Sequence, residues 1–371
     1  MNIVIVVALY AVGAVASAIE IFNKRTNYFL LIIQVALFVL CIDSRIGHSY
    51  SYSDFSTYLR FFQEGNDAYF EKGYVFYCGI IKCLFGRDIH MFCLITSLII
   101  IGAALIVVDI MYSNQNCETI KIVVNQRKIW AVPALMYSGT FLFTFTSYWG
   151  IVFAGEALRQ GIACALLLVA LALALNGKKL LPCIVLIIAS GFHTSAILFV
   201  LALLVIFLVK KYPSKSQYFF WLCVLIVVDI IVNLTSALNI SVILQLLQDY
   251  AAIPAVAKLF NYENATVGNY FSTQYLTYHV LALVMVCVEH NCEETKKCIY
   301  IYYIGLTLGT IFSKTAILMR IQWVFLPVSI MAIYYFIKTS LKTSSKIKYI
   351  LVTIFSLLQT VMSVRYLGMY F

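Results

Sequence analysis

Charged residues are scarce in this sequence: only 11% of its 371 residues are Asp, Glu, Lys or Arg. A soluble domain averages about 25% charged residues, so the chain has almost no room for a separate soluble domain. Hydrophobic residues make up 63% of it, and its mean hydropathy is +0.94. These proportions predict an all-α polytopic membrane protein, with residues 1–371 forming a single integral membrane domain.

The sequence also lacks the motifs of metal, disulfide and nucleotide chemistry. Its 11 cysteines fall mostly inside apolar runs, where a thiol behaves as a small hydrophobic side chain. They form no CxxC pair and no set with histidines at ligand spacing, and no P-loop, HExxH or GxGxxG pattern stands in a usable context. We therefore expect no metal, no cofactor and no nucleotide-driven reaction.

The apolar runs predict about twelve transmembrane helices, because a hydrocarbon core about 30 Å thick needs roughly 20 apolar residues. The predicted spans are residues 3–22, 28–42, 89–112, 130–148, 157–175, 180–192, 195–209, 217–235, 276–290, 298–313, 318–337 and 349–366. With the N-terminus outside, the six basic clusters between them all fall on the cytoplasmic side, as the positive-inside rule requires. The net charge of +10 therefore belongs to short loops and does not indicate a nucleic-acid partner.

Two segments depart from the simple alternation of spans. Residues 74–88 are too short and too charged to cross, and they predict an amphipathic or re-entrant helix at the outer face. The apolar run 181–209 is too long for one helix between its flanking lysine pairs, so we expect a break at Ser190-Gly191 and a pair of short helices with His193 at their outer apex. The outer face then carries the loops 43–88 and 236–275.

Two arginines are placed where the positive-inside rule disfavours them. Arg159 and Arg320 both lie at the outward start of an apolar span, with Gln160 beside the first and Lys314 before the second. A guanidinium is well shaped to hold a phosphate through two parallel hydrogen bonds, which suggests a pocket for a lipid-linked phosphate or diphosphate. The alternative is a snorkelling arginine, or a local i,i+3 ion pair between Glu156 and Arg159.

The other candidate residues are a histidine and a group of residues in the first outer loop. His193 is a candidate general base, since a neutral imidazole titrates near pH 7; the alternative is a histidine that only caps broken backbone. In the first loop, aromatic residues alternate with carboxylates, a combination that suits sugar rings, although an ordinary solvated loop remains the alternative. The candidates there are Asp54, Tyr58, Arg60 and Glu71.

These residues resemble a known family, the EpsG-type polymerases of the Wzy group. The resemblance covers most of the chain and rests on Asp54-x3-Tyr58, Glu71-x-Gly73-Tyr74, Arg159-Gln160, His193-Thr-Ser-Ala and Arg320. It implies an enzyme of the bacterial inner membrane that polymerises undecaprenyl-diphosphate-linked oligosaccharides at the outer or periplasmic face, without a nucleotide sugar. It further implies a fold related to the GT-C-like, lipid-dependent glycosyltransferases. Membrane lipids and a chain-length regulator protein are the partners to expect.

On this resemblance and the residue types, Arg159 and Arg320, together with Lys314, would stabilise the diphosphate leaving group. His193 or Asp54 would take the proton of the attacking hydroxyl, and a further set would bind substrate: Tyr58, Arg60, Glu71, Glu156 and Gln160. Two other classes stay open: a polysaccharide flippase or transporter, and a membrane O-acyltransferase. A transporter needs polar residues along a path between both faces, whereas the candidates here gather at one face.

Overall fold

The structure is a computed structural model, and it describes residues 2–46, 54–65, 70–113, 136–235, 273–287, 292–311, 320–340 and 343–368. Every regular element in these ranges is helical. The α-helices are α1 (Ile3–Asn23), α2 (Tyr28–Asp43), α3 (Asp54–Glu64), α4 (Lys72–Phe85), α5 (Ile89–Ser113), α6 (Ser138–Thr146), α7 (Trp149–Gly155), α8 (Leu158–Leu175), α9 (Leu180–Phe192), α10 (Val200–Leu208), α11 (Lys215–Thr235), α12 (Thr273–Cys287), α13 (Glu293–Ile311), α14 (Val328–Thr339) and α15 (Ser345–Gly368). Two 3-10 helices, Thr194–Phe199 and Arg320–Val324, precede α10 and α14.

Six helical segments of the described chain are long and apolar enough to cross a membrane. They are Ile3–Asn23, Ile89–Ser113, Leu158–Leu175, Lys215–Val232, Ile321–Thr339 and Ser345–Ser363. Shorter apolar helices occupy Tyr28–Asp43, Leu180–Phe192, Thr194–Leu208 and Leu276–Cys287. The chain is thus an all-α polytopic membrane protein, as its composition predicts, while a total of twelve crossings stays a prediction. Residues 130–135 of one predicted span and the loop 236–272 lie outside the described residues.

The helices have an inner group and an outer group. All residues of α6 and α7 are buried, and so is α14 from Val328 to Ile337. By contrast, α1, α9, α11 and α15 expose large aliphatic and aromatic side chains, among them Val4, Ile187, Phe220 and Ile354. Exposed apolar surface of this kind suits contact with lipid tails, so the second group forms the lipid-facing periphery of the bundle.

The helix ends show which way the chain runs. The start of α1 meets the end of α2 through Asn2 N–H and Ser44 Oγ (3.2 Å), and Asp43 bonds His90 at the start of α5 (2.7 Å). At the other end of the bundle, the ring of Phe22 packs near that of Tyr349 at the start of α15. These relative directions are the ones that the predicted alternation of spans requires.

The break in the long apolar run lies two residues later than predicted. Helix α9 continues through Ser190 and Gly191 to Phe192, and His193 has extended backbone with φ −153° and ψ 121°. Near the end of this helix, the backbone of Gly191 packs against Gly73 at the start of α4. A Cβ on Gly73 would approach the carbonyl oxygen of Gly191 to 2.6 Å, so the two backbones touch directly.

The outer loop predicted at 43–88 contains a helix, α3, ahead of the predicted helix at 74–88. In α3, Phe55, Leu59 and Phe62 recur at i, i+4 and i+7 and are buried, whereas Arg60 and Glu64 are exposed. The predicted helix at 74–88 is present as α4, about 21 Å long and thus too short to cross. The exposed side of α4 carries apolar side chains. The helix of this loop with one polar and one apolar face is therefore α3 and not α4.

Candidate functional site

Five separate parts of the chain meet at the end of the bundle where α2 finishes and α8 begins. They are the end of α2, helix α3, the start of α4, the turn before α8 and the segment that follows α9. We call the group formed by these five residues the arginine cluster: Tyr58, Phe70, Glu71, Arg159 and Thr194. This end is the one that the predicted threading places outside.

Arg159, in the first turn of α8, is held on its edge and on its face. Its Nη1 donates to a carboxylate oxygen of Glu71, and its Nε donates to the Tyr58 hydroxyl at 3.4 Å. The guanidinium carbon lies 4.6 Å from the ring centre of Phe70 and 5.5 Å from that of Tyr58, within the range of cation–π attraction. The side chain remains 19% exposed, so a ligand can reach it.

Glu71 joins Arg159 to the segment after α9. One of its carboxylate oxygens accepts from Arg159, and the other accepts from the backbone N–H (3.3 Å) and the hydroxyl (3.2 Å) of Thr194. Burial raises the pKa of the Glu71 carboxyl, but the Arg159 guanidinium, the nearby His193 ring and backbone hydrogen bonds lower it, and the net pKa is below its usual value of 4.5. Glu71 is therefore a carboxylate at neutral pH.

His193 lies directly before Thr194, and its ring is oriented by Ser195. Its Nδ1 is 3.3 Å from the backbone N–H of Ser195 and 2.7 Å from the Ser195 hydroxyl. A backbone N–H can only donate, so Nδ1 accepts, and a neutral ring carries its proton on Nε2. His193 thus adjoins a hydroxyl that can relay a proton to Nδ1.

A second ion pair, between Arg45 and Glu156, is fully buried beside the arginine cluster. Their side chains are only 5% and 2% exposed. Glu156 also accepts from the backbone N–H of Asp54 at 3.2 Å, and the Arg45 guanidinium lies 5.3 Å from the ring centre of Phe55. The pair therefore ties the end of α2 and the start of α3 to the turn before α8.

The i,i+3 ion pair considered between Glu156 and Arg159 is wrong. Helix α7 ends at Gly155, and Glu156 has φ −139° and ψ −55°, outside the helix that starts at Leu158. Without a helical turn between them, the two side chains do not share a face, and each pairs with a distant residue instead. Arg45 was not predicted from the sequence, although the signal was present, since Arg45 is an arginine at the outward end of a span, as Arg159 is.

The aromatic residues of the first loop pack on one another. Tyr58 and Tyr74 are buried, with ring centres 5.7 Å apart, and Phe70 lies 4.4 Å from Phe61. Their faces are largely used in this wall, which backs Arg159 and leaves little ring surface free for a sugar. Arg60 is two residues from Tyr58 on α3, about 200° around the helix, and is exposed on the opposite side.

The remaining candidates are Gln160, Lys314 and Arg320, and the structure describes only some of their side chains. Gln160 is buried in α8. Lys314 and the side chain of Arg320 lie outside the described residues. The backbone of Arg320 begins a 3-10 helix that packs against the one following His193, with the rings of Phe199 and Phe325 6.0 Å apart. In the described part of the chain, no three His, Cys, Asp or Glu side chains are grouped to hold a metal ion.

The sequence was compared with families of known proteins, with curated proteins and with solved structures. A family model described as the EpsG family matches residues 28–369, which is most of the chain. No curated protein and no solved structure matches the chain.

Proposed function

The chain belongs to the EpsG family, and on that premise we propose that it joins undecaprenyl-diphosphate-linked oligosaccharide repeat units into a surface polysaccharide. Membership supports a polysaccharide-polymerase-like role in general. The product would be an O-antigen, a capsule or an exopolysaccharide. The reaction would take place at the outer face of the inner membrane, where both substrates are anchored by their lipids.

The observation that carries this proposal is the arginine cluster beside His193. A guanidinium, a backbone N–H and a hydroxyl converge on a single carboxylate, Glu71, and the oxygen that accepts from Arg159 stands where a phosphate oxygen could bind. Donors of this kind suit a phosphate. An imidazole next to such an anion site provides a proton acceptor within the same small region.

In the proposed reaction, the hydroxyl of one repeat unit attacks the anomeric carbon of the sugar at the diphosphate end of the other. The bond between that carbon and the diphosphate oxygen breaks, and negative charge develops on the leaving diphosphate. Arg159 would stabilise this charge, which is usually the largest contribution in such a site. Arg320 would help, because its backbone belongs to the segment packed against Thr194–Phe199, and Lys314 is assigned to the same anion.

The proton of the attacking hydroxyl would pass to His193. Ser195 Oγ lies 2.7 Å from Nδ1, so the hydroxyl can give its proton to Ser195 while Ser195 gives its own to the ring. The carboxylate of Glu71 would then stabilise the imidazolium. Asp54, at the start of α3, is the other candidate base. We favour His193, because its Nδ1 lies 2.7 Å from a hydroxyl directly after Thr194.

The candidate binding residues divide into two roles. We assign Tyr58, Glu71 and Gln160 to the neighbourhood of the diphosphate, and the exposed Arg60 to the sugar chain. Glu156 is better assigned to positioning, because its carboxylate is engaged by Arg45 and by the start of α3. A chain-length regulator protein and the surrounding membrane lipids remain the proposed partners.

The experiment replaces Arg159 by alanine in cells that make the native polysaccharide. Loss of one such donor to a developing charge costs about 100- to 1,000-fold in rate, so we expect long polymer to disappear while single-repeat product remains. Banding of the extracted glycan measures both. The matched control is Arg87→Ala, which removes an exposed arginine of the α4–α5 turn and should leave the ladder unchanged.

Other banding patterns would point to other classes of protein. A normal ladder in Arg159→Ala would refute the diphosphate role. In a deletion strain, loss of all surface glycan would indicate a flippase or transporter, and normal banding with altered acetyl content would indicate an O-acyltransferase. The polymerase proposal requires retained single repeats in the deletion strain as well.

A further inference from the structure

Glu71 occupies the guanidinium of Arg159, which the proposed function assigns to the leaving diphosphate. Its carboxylate is paired with Arg159 on one oxygen and with Thr194 on the other, and its side chain is 13% exposed. Any anionic head group that approaches Arg159 must therefore displace a carboxylate that already carries one negative charge.

The geometry lets Glu71 release Arg159 without leaving the site. Glu71 lies at the N-cap position of α4, but its side chain makes no capping hydrogen bond to that helix. It reaches across to Thr194 instead, whose N–H and hydroxyl both bind the oxygen that does not contact Arg159. A rotation of the carboxylate could free the guanidinium while the Thr194 contacts hold Glu71 nearby.

Competition of this kind separates head groups by charge. A phosphodiester lipid such as phosphatidylglycerol brings one negative charge, so it replaces a carboxylate with an anion of equal charge and gains little. A diphosphate brings more than one charge and more acceptor oxygens, so its attraction to the guanidinium exceeds that of the carboxylate. An arginine open to the bilayer surface needs such a filter, since anionic phospholipids are attracted to basic side chains at that surface.

We propose that Glu71 is a specificity-determining residue that keeps monoanionic phospholipids off Arg159 and lets a lipid diphosphate displace it. This inference rests on the proposed function, because it takes the lipid diphosphate as the natural ligand. It goes further in giving the carboxylate a role in choosing among lipids.

The test measures binding of farnesyl diphosphate to the full-length protein in phosphatidylcholine nanodiscs, with and without phosphatidylglycerol. For the wild type, we expect phosphatidylglycerol to change the apparent Kd less than about twofold. For Glu71→Gln, which keeps the size of the side chain but removes its charge, we expect phosphatidylglycerol to weaken binding about tenfold, the size of one hydrogen bond to a charged group.

Glu64→Gln is the matched control, because Glu64 is an exposed carboxylate at the end of the neighbouring α3; it should behave as the wild type. Glu71→Asp provides a second variant, which keeps the charge but is one methylene too short to span from Thr194 to Arg159. It should also become sensitive to phosphatidylglycerol.

Three results would overturn the proposal. Equal sensitivity of the wild type and Glu71→Gln to phosphatidylglycerol would show that Glu71 makes no selection. Loss of farnesyl diphosphate binding by Glu71→Gln in phosphatidylcholine alone would make Glu71 a positioning residue and leave the proposed function standing. If the wild type binds no farnesyl diphosphate in either nanodisc, the diphosphate role of Arg159 fails together with the inference.

Discussion

The two arginine–glutamate pairs at this end of the bundle have the same chemistry but different surroundings. In the Arg45–Glu156 pair the side chains are 5% and 2% exposed, and in the Arg159–Glu71 pair they are 19% and 13% exposed. The first pair joins α2, the start of α3 and the turn before α8. The second lies at the edge of the site, against an aromatic wall. The more deeply buried Arg45–Glu156 pair is thus suited to fixing the backbone. The more exposed Arg159–Glu71 pair is suited to exchanging its partner.

The largest effect is expected when the buried pair is broken. Glu156→Ala would leave Arg45 as an uncompensated buried charge and would take away the acceptor of the Asp54 N–H. Removing one partner of a buried ion pair typically costs about 3–5 kcal/mol. We therefore expect a large fall in the thermal midpoint of the purified protein, measured by scanning fluorimetry in detergent.

The double variant Arg45→Met/Glu156→Leu provides the control. Replacing both charges by apolar side chains of similar volume removes the stranded charge, so the double variant should be more stable than either Arg45→Met or Glu156→Leu alone. If Glu156→Ala unfolds no earlier than Glu71→Ala, the two pairs do not differ in the way that their burial indicates.

Much of the bundle could be predicted from sequence, because apolar runs of sufficient length leave few alternatives to membrane helices. Arg159 could be found because a guanidinium at the outward start of a span violates a strong rule. Its partner, Glu71, could not be found in this way. The helical spacing of Glu156 and Arg159 favoured a local pair, and only the interrupted backbone at Glu156 shows that no helical turn joins them. Distant pairing with Glu71 depends on how α4 packs against α9.

The packing of α4 against α9 should affect the Arg159–Glu71 pair and not the Arg45–Glu156 pair. Because a Cβ on Gly73 would come within 2.6 Å of the Gly191 carbonyl oxygen, Gly73→Ala should push the start of α4 away from α9. Overpacking of this kind costs about 1–3 kcal/mol, and the shift should also separate Glu71 from Thr194. We expect the polymer yield of Gly73→Ala to fall. Its thermal midpoint should fall less than that of Glu156→Ala, because the Arg45–Glu156 pair stays intact.

Gly79→Ala is the matched control on the same helix, since a Cβ there meets nothing within 4 Å. It should retain full polymer yield and a wild-type thermal midpoint. A Gly73→Ala protein with a normal ladder would show that contact between α4 and α9 does not hold the arginine cluster together.

The smallest effect is expected from acid titration of Glu71. Its pKa in the folded protein is below the usual 4.5, because Arg159 and His193 outweigh burial. A carboxyl with a lowered pKa stabilises the fold fully above its unfolded pKa, and this contribution is lost as the pH falls through the folded pKa. The difference in thermal midpoint between the wild type and Glu71→Gln should therefore be constant from neutral pH to about pH 5. At lower pH it should shrink, as Glu71 becomes neutral in the wild type too. A difference that already shrinks between pH 7 and pH 5 would mean that the pKa of Glu71 is raised and that burial, rather than Arg159, dominates its environment.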